Sequence, residues 1–311
     1  MDHFSYEILD FLKSSGFYCE SELFYGIEGF SVRSSTGCIR RILLLETSAT
    51  NQQDAHQLAR LATECIENLV QEDNEYPLII SEDRWHTQGE MTRARILAHL
   101  EVFNPIYARN CEVRRIDRNL AKEFLEANHS YGYATCKYCY GLFFKRHTGH
   151  IAQRFSRQGS VLPQDDVNKK DEQTWQSAGA LVAVATFSNA RKWTKGDKTI
   201  RSYEWTRYAS LPDVRLSGGM GRMLKTFIKE VHPDDIMSYA DLEWSAGEVY
   251  AQLGFELEGV KDPVMFSIDS GTWKRTPIKP DTSSEEPAKG TSKYFQNLGS
   301  NKYRLKLTDY K

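Results

Sequence analysis

Residues 204–255 read EWTRYASLPDVRLSGGMGRMLKTFIKEVHPDDIMSYADLEWSAGEVYAQLGF, and the order of elements in this stretch decides the fold. Aromatic and β-branched residues make a strand over 203–210. A glycine-rich turn follows. Residues 218–231 have the spacing of an amphipathic helix, with Met223, Leu224, Phe227 and Ile228 on its apolar face. A second strand at 236–240 and a helix at 246–253 close the unit. In the turn, glycines 218, 219 and 221 permit positive φ and a close approach by another backbone. The helix behind them aims its N-terminal dipole and unpaired N–H groups outward, which suits a phosphate-bearing cofactor. The same glycines also suit a tight strand–helix turn that binds nothing.

Working outward, the chain has 311 residues, 40% of them apolar, which is enough for two domains with real cores. No apolar run reaches the roughly 18 residues of a membrane span. The opening MDHFSYEILDFLKSSGF is acidic and amphipathic and does not read as a secretory signal. Six cysteines are ordinary usage, so a cytoplasmic protein with reduced thiols is expected. The net charge of −2 hides an asymmetry. Residues 111–230 carry 21 Lys and Arg against 12 Asp and Glu, so the rest of the chain is net acidic. A basic middle fits a polyanionic partner, nucleic acid or a phosphorylated coenzyme, as well as plain solvated faces.

Before this unit, helical spacing at 1–15, 53–71 and 89–100 alternates with strand-like segments near 23–25, 39–46 and 76–81. That pattern predicts a small α/β domain over 1–108. A second domain, 109–275, begins with a strand at 111–117 and a helix at 118–128. Apolar strands follow at 137–144 and 180–187, with a last one at 263–268. The polar stretch 147–176 reads as an insertion, 276–291 as a linker, and 292–311 as a C-terminal strand or tail.

Two motifs about 30 residues apart carry a resemblance. The first is Arg215-Leu-Ser-Gly-Gly-Met-Gly221, and the second is Tyr250-Ala-Gln-Leu-Gly-Phe255. In this order they resemble the cofactor-binding half of GNAT-fold N-acyltransferases. Upstream, Arg207, Ala209, Pro212 and Asp213 also fall where that family has related residues. The resemblance implies a GNAT-like mixed central sheet flanked by helices, in the α/β (α+β) class. It implies acetyl-CoA or another acyl-CoA held by Arg215, Ser217, Gly218, Gly219, Met220, Gly221 and Arg222. It implies Tyr250 as the acid that protonates the departing thiolate. The loop is one residue longer than the family pattern between Arg215 and Gly219.

A narrower resemblance rests on Asn128-His129-Ser130-Tyr131-Gly132 and on Ser238-Tyr-Ala-Asp241 followed by Trp244. It is to phage Mom-like DNA-modification proteins and to the C-terminal domain of homing-endonuclease-associated phage proteins. It implies DNA as partner and an exocyclic base amine as acceptor. His129 or Asp241 would act as base or positioning group, and Asn128, Tyr131, Arg207, Tyr239 and Trp244 would hold substrate. The blander roles are a helix-ending His, a capping Asp and aromatic residues packed on a sheet.

The smaller N-terminal α/β domain resembles a degenerate very-short-patch-repair-like nuclease. Glu46, Glu82 and Asp83 are its available acids, and the strand Gly29-Phe-Ser-Val-Arg33 lacks the expected aspartate. Cys136 and Cys139, with His147 and His150, superficially suggest zinc. A strand would point positions i and i+3 to opposite faces, so no metal is expected. Two other functions compete: an N-acyltransferase acting on a small amine or a protein lysine, and a non-catalytic DNA-binding protein with the same fold.

Overall fold

A computed structural model describes residues 3–34, 36–37, 39–145, 179–278 and 293–310. The chain is a mixed α/β structure that divides into two compact units. The first comprises Met1–Val102, Tyr239–Gln252 and Leu257–Tyr303, and the second Phe103–Ser238, Leu253–Glu256 and Arg304–Lys311. The first unit is therefore discontinuous in sequence. It takes in segments that the sequence reading had grouped within 109–275. The expected insertion at 147–176 lies outside the described residues, as do His147, His150 and most of 276–291.

The first unit opens with α1 (His3–Ser14), β1 (Tyr18–Phe24), β2 (Ile27–Arg33), β3 (Ile39–Leu45), α2 (Gln52–Asp73), β4 (Leu78–Ser81), α3 (Glu82–Thr87) and α4 (Gly89–His99). The strands form one sheet in the order β1-β2-β3-β4. Neighbours are antiparallel except β3 and β4, which are parallel because α2 carries the chain back across the sheet. Alternation along β3 sends Ile42 and Leu44 to one face and Leu43 and Leu45 to the other. The first face packs on Phe4, Ile8 and Leu12 of α1 and on Ile96 of α4. The second packs on α2. The buried stripe of α2 runs through Ala55, Ala59, Ala62, Cys65, Ile66 and Leu69. Leu58 and Leu61 are partly buried and pack against this cluster.

In the second unit the chain continues through β5 (Asn104–Tyr107), a 3-10 turn, β6 (Cys111–Arg115), α5 (Arg118–Asn128), β7 (Tyr138–Phe144), β8 (Leu181–Phe187), β9 (Arg191–Lys195), β10 (Lys198–Ser210), β11 (Val214–Ser217), α6 (Gly219–Val231) and β12 (Asp235–Asp241). Strands β6, β7, β8 and β10 form an antiparallel meander, and β9 forms a hairpin with the start of β10. Helix α6 then returns the chain to lay Asp235–Met237 parallel to Ser202–Glu204. One sheet face packs on α6 through an aromatic cluster. Phe227 stacks on Phe187 (3.9 Å between centroids) and meets Tyr138, Tyr140 and Tyr203 edge-on. The other face packs on Ala121, Phe124 and Leu125 of α5.

The remaining elements are α7 (Glu248–Gln252), β13 (Glu256–Lys261), β14 (Met265–Ile268), β15 (Arg275–Pro277), β16 (Lys293–Gln296) and β17 (Ser300–Lys306). Strand β14 pairs antiparallel with β15 and with β16. No helix among the described residues is long and apolar enough to cross a membrane.

Candidate functional site

The glycine turn stands at the head of α6, as its spacing predicts. Strand β11 runs into it, paired parallel with β5. Gly218 is the N-cap residue with φ +76°, a left-handed conformation that glycine adopts without strain. No side chain caps this helix end, and no acidic residue lies in its first turn. Ser217 and Gly218 are exposed. The helix therefore presents its positive end at the surface with no carboxylate of its own to neutralise it. Gly219 has a different task. A Cβ there would come within 3.0 Å of the Tyr208 hydroxyl and 3.1 Å of the Leu216 Cβ. It is glycine so that the turn can close over β10. Burial pushes the Tyr208 phenol up, so this hydroxyl under the turn stays protonated. Arg222 donates to the Ala108 carbonyl at 2.9 Å, and the Arg215 guanidinium lies 5.1 Å from the centre of the Phe103 ring. Both arginines brace the turn, and both add positive charge to it.

Beside the turn the two parallel strands part. The β10–β12 pairing ends at Glu204 and Met237, and β10 then bulges between Trp205 and Arg207. The Ser238 hydroxyl donates to the Trp205 carbonyl at 3.0 Å, taking the place of a ladder bond. A cleft of about 350 Å³ lies beside the last paired positions, lined by Thr135, Ser188, Asn189, Ala190, Arg191, Ser202, Glu204 and Met237. Ser188 fixes the wall: its N–H donates to the Glu204 carbonyl, and its Oγ accepts from the Glu204 N–H, both at 2.9 Å. Among the described residues the Glu204 carboxylate forms no ion pair. Sequence reasoning missed Glu204. Its one signal was a lone acid in a strand that carries three basic residues.

The residues after α5 gather on the same unit. Asn128 turns its amide back to the Phe124 carbonyl (2.8 Å), so it ends the helix. His129 Nδ1 accepts from the Tyr131 N–H at 3.1 Å. Arg207 donates through Nε to the Gly132 carbonyl at 3.0 Å and through Nη1 to the Thr206 carbonyl at 2.7 Å. Burial holds this guanidinium below the usual arginine range. The structure thus brings His129, Tyr131 and Arg207 together. Cys136 and Cys139 also meet, with their sulfurs 3.3 Å apart. The expectation of opposite faces fails because Cys136 precedes the strand, which begins only at Tyr138.

The other sequence candidates belong to the first unit. Asp241 pairs with Arg84 at 3.0 Å and accepts from the Glu243 N–H through its other oxygen, also at 3.0 Å. Its carboxylate is engaged as a structural anchor rather than held ready as a base. Trp244 lies under the Arg95 guanidinium, 4.1 Å from the ring centre, and its carbonyl accepts from Arg95 at 2.6 Å. Tyr239 is partly exposed, with the Lys261 ammonium over its ring. Tyr250 stacks on Tyr303 with centroids 5.3 Å apart. Of the acids assigned to a nuclease, Asp83 pairs with Arg275, and Glu82 accepts from the Thr47 N–H at 2.8 Å.

No protein-family model matches this chain, and no curated protein matches it. Among solved structures, it is similar to the acetyltransferase (GNAT family) from Bacillus anthracis. The likeness covers 63% of this chain and 95% of that one, at 12% identity and a TM-score of 0.30. At that distance it assigns no role to any residue, and the functional reading rests on this chain's own geometry.

Proposed function

We propose that the second unit is a GNAT-like N-acyltransferase centre. One observation carries this reading. The second unit holds both an uncapped glycine N-terminus, at α6, and a parallel strand pair, β10 and β12, whose pairing stops at Glu204 and Met237 beside a cleft holding a carboxylate. In sheets with parallel strands, ligands bind where neighbouring strands separate beside a helix N-terminus. The turn at Ser217–Arg222 takes the diphosphate of an acyl-CoA, with Arg215 and Arg222 adding charge. Past the bulge, the β10 backbone offers its edge to an amide-bearing arm of the same cofactor. Glu204 receives the proton that an amine must lose as it attacks the acyl carbonyl. The Tyr208 phenol, kept protonated by burial, lies under the turn.

A nucleic-acid base is the acceptor we favour. The β9–β10 hairpin supports it, because Arg191, Lys192, Lys195 and Lys198 are all exposed there and Arg191 also lines the cleft. Oligonucleotide binding is expected to weaken steeply as salt rises. Acetylation of a free amine or a lysine peptide, with DNA left unaltered, moves the acceptor to the alternative class.

Calorimetry with acetyl-CoA tests the centre directly. Ser217 is exposed, so Ser217→Asp leaves folding intact while placing a carboxylate on the helix end. At least about a tenfold loss of acetyl-CoA affinity is expected, or about 1.4 kcal/mol. Folded wild-type protein that releases no heat with acetyl-CoA overturns the proposal.

A further inference from the structure

The close pair Cys136 and Cys139 plays no part in the proposed transfer. Both residues are 3% exposed, and their sulfurs stand at 3.3 Å. A disulfide needs about 2.05 Å between sulfurs, so closure asks for a movement of just over an ångström. Cys139 is fixed within β7, opposite Thr186 of β8. Cys136 lies in the connection between α5 and β7, outside the strand ladder. The surroundings treat the two thiols differently. The contact with Cys139 holds the Cys136 thiol down at about 6 despite burial, helped by the Tyr133 hydroxyl 3.5 Å away and by the Arg118 charge. The same contact pushes Cys139 up. Cys19, Cys65 and Cys111 are each pushed up to about 11 by burial and stay inert thiols.

We propose that Cys136 and Cys139 form a redox modification site, a dithiol that closes to a reversible disulfide when it meets a peroxide. The Cys136 thiolate attacks one oxygen of hydrogen peroxide. The S–O bond forms, the O–O bond breaks, and hydroxide leaves, giving a sulfenic acid. The Cys139 sulfur then attacks the Cys136 sulfur. The S–S bond forms, the S–O bond breaks, and the departing oxygen leaves as water with the Cys139 proton. Two thiols lose two electrons, and one peroxide becomes two waters. Thr135, next to Cys136 in the chain, lines the Glu204 cleft. The chemistry does not depend on what the cleft binds.

Lys137 separates the two cysteines, which makes the test direct. The full-length reduced protein is treated with hydrogen peroxide, alkylated under denaturing conditions and digested with trypsin. Peptides 123–137 and 138–145 are expected to stay joined, two hydrogens lighter than their sum, and to separate with dithiothreitol. In Cys139→Ser, with its fold checked by circular dichroism, the joined species is lost and Cys136 carries a dimedone adduct. Should that variant not fold, the wild-type peptide pair decides by itself. Full alkylation of both cysteines in peroxide-treated wild type overturns the proposal. So does a wild-type Cys136–dimedone adduct with no joined peptides.

Discussion

Glu204 and Asp241 show how surroundings assign work to chemically similar groups. Both are acids on neighbouring parallel strands, and from sequence Asp241 was the better candidate. In the structure Asp241 is neutralised by Arg84 and ties down its own turn, while Glu204 faces a cleft. A proton acceptor must be able to give up and regain its charge in place, which a paired anchor does only at a large cost. Glu204→Gln keeps the shape of the cleft wall and removes the basic oxygen. Turnover of an amine acceptor is expected to fall by about 10²–10⁴-fold in kcat, with acetyl-CoA affinity unchanged. A variant with wild-type turnover would return the role to another group.

The elements that carry the site are held by local chemistry legible in the sequence. Asp117 precedes α5 and its Oδ1 accepts from the N–H groups of Asn119 and Leu120 at 2.8 and 2.9 Å. This N-cap fixes where α5 starts, and so where its far end delivers His129 and Tyr131. Asp117→Ala is expected to cost about 1 kcal/mol in urea unfolding, with the m-value unchanged. The amphipathic face of α6 was readable in the same way: Met223, Leu224 and Phe227 are buried as spaced. Strand β10 starts earlier than its apolar residues suggest, because residues 198–201 are largely polar and pair with β9. The strand at Gly29–Arg33 matches β2, whereas β1 is marked in the sequence only near 23–25. Most of β1 is exposed, so no apolar alternation marks it.

At the scale of each unit, buried charge specifies which distant segments belong together. Arg275 donates to both Asp83 and Glu243, and Arg84 reaches Glu243 at 3.2 Å. Three of these side chains are almost wholly buried, Glu243 and Asp83 at 2% exposure and Arg84 at 8%. Burial pushes the Glu243 carboxyl up, but the Arg275 and Arg84 charges outweigh it and bring the group down to about 2. A folded-state value below the unfolded one, near 4.3, means stability present above pH ~4.3 and lost as pH falls toward 2. Wild-type Tm is expected to drop through that window. Arg275→Met removes the ion pair of buried Asp83 and one of the two of Glu243, and should cost about 3–5 kcal/mol at pH 7. Its Tm should recover partly as acid neutralises them. A variant as stable as wild type at pH 7 would show that the cluster is incidental.

The sequence by itself determined the run of strand, glycine turn, helix and strand over 204–255, because periodicity and φ freedom are properties of neighbouring residues. It determined the apolar faces of α1 and α6 on the same ground. The tertiary structure decided that Cys136 and Cys139 touch, that Glu204 faces a cleft, and that Asp241 is an anchor. The cysteine contact turns on where β7 begins, and the role of Asp241 on a partner 157 positions away, Arg84. A contact formed by the closing of a long loop leaves no periodic mark on either of its ends, so only the folded chain reveals it.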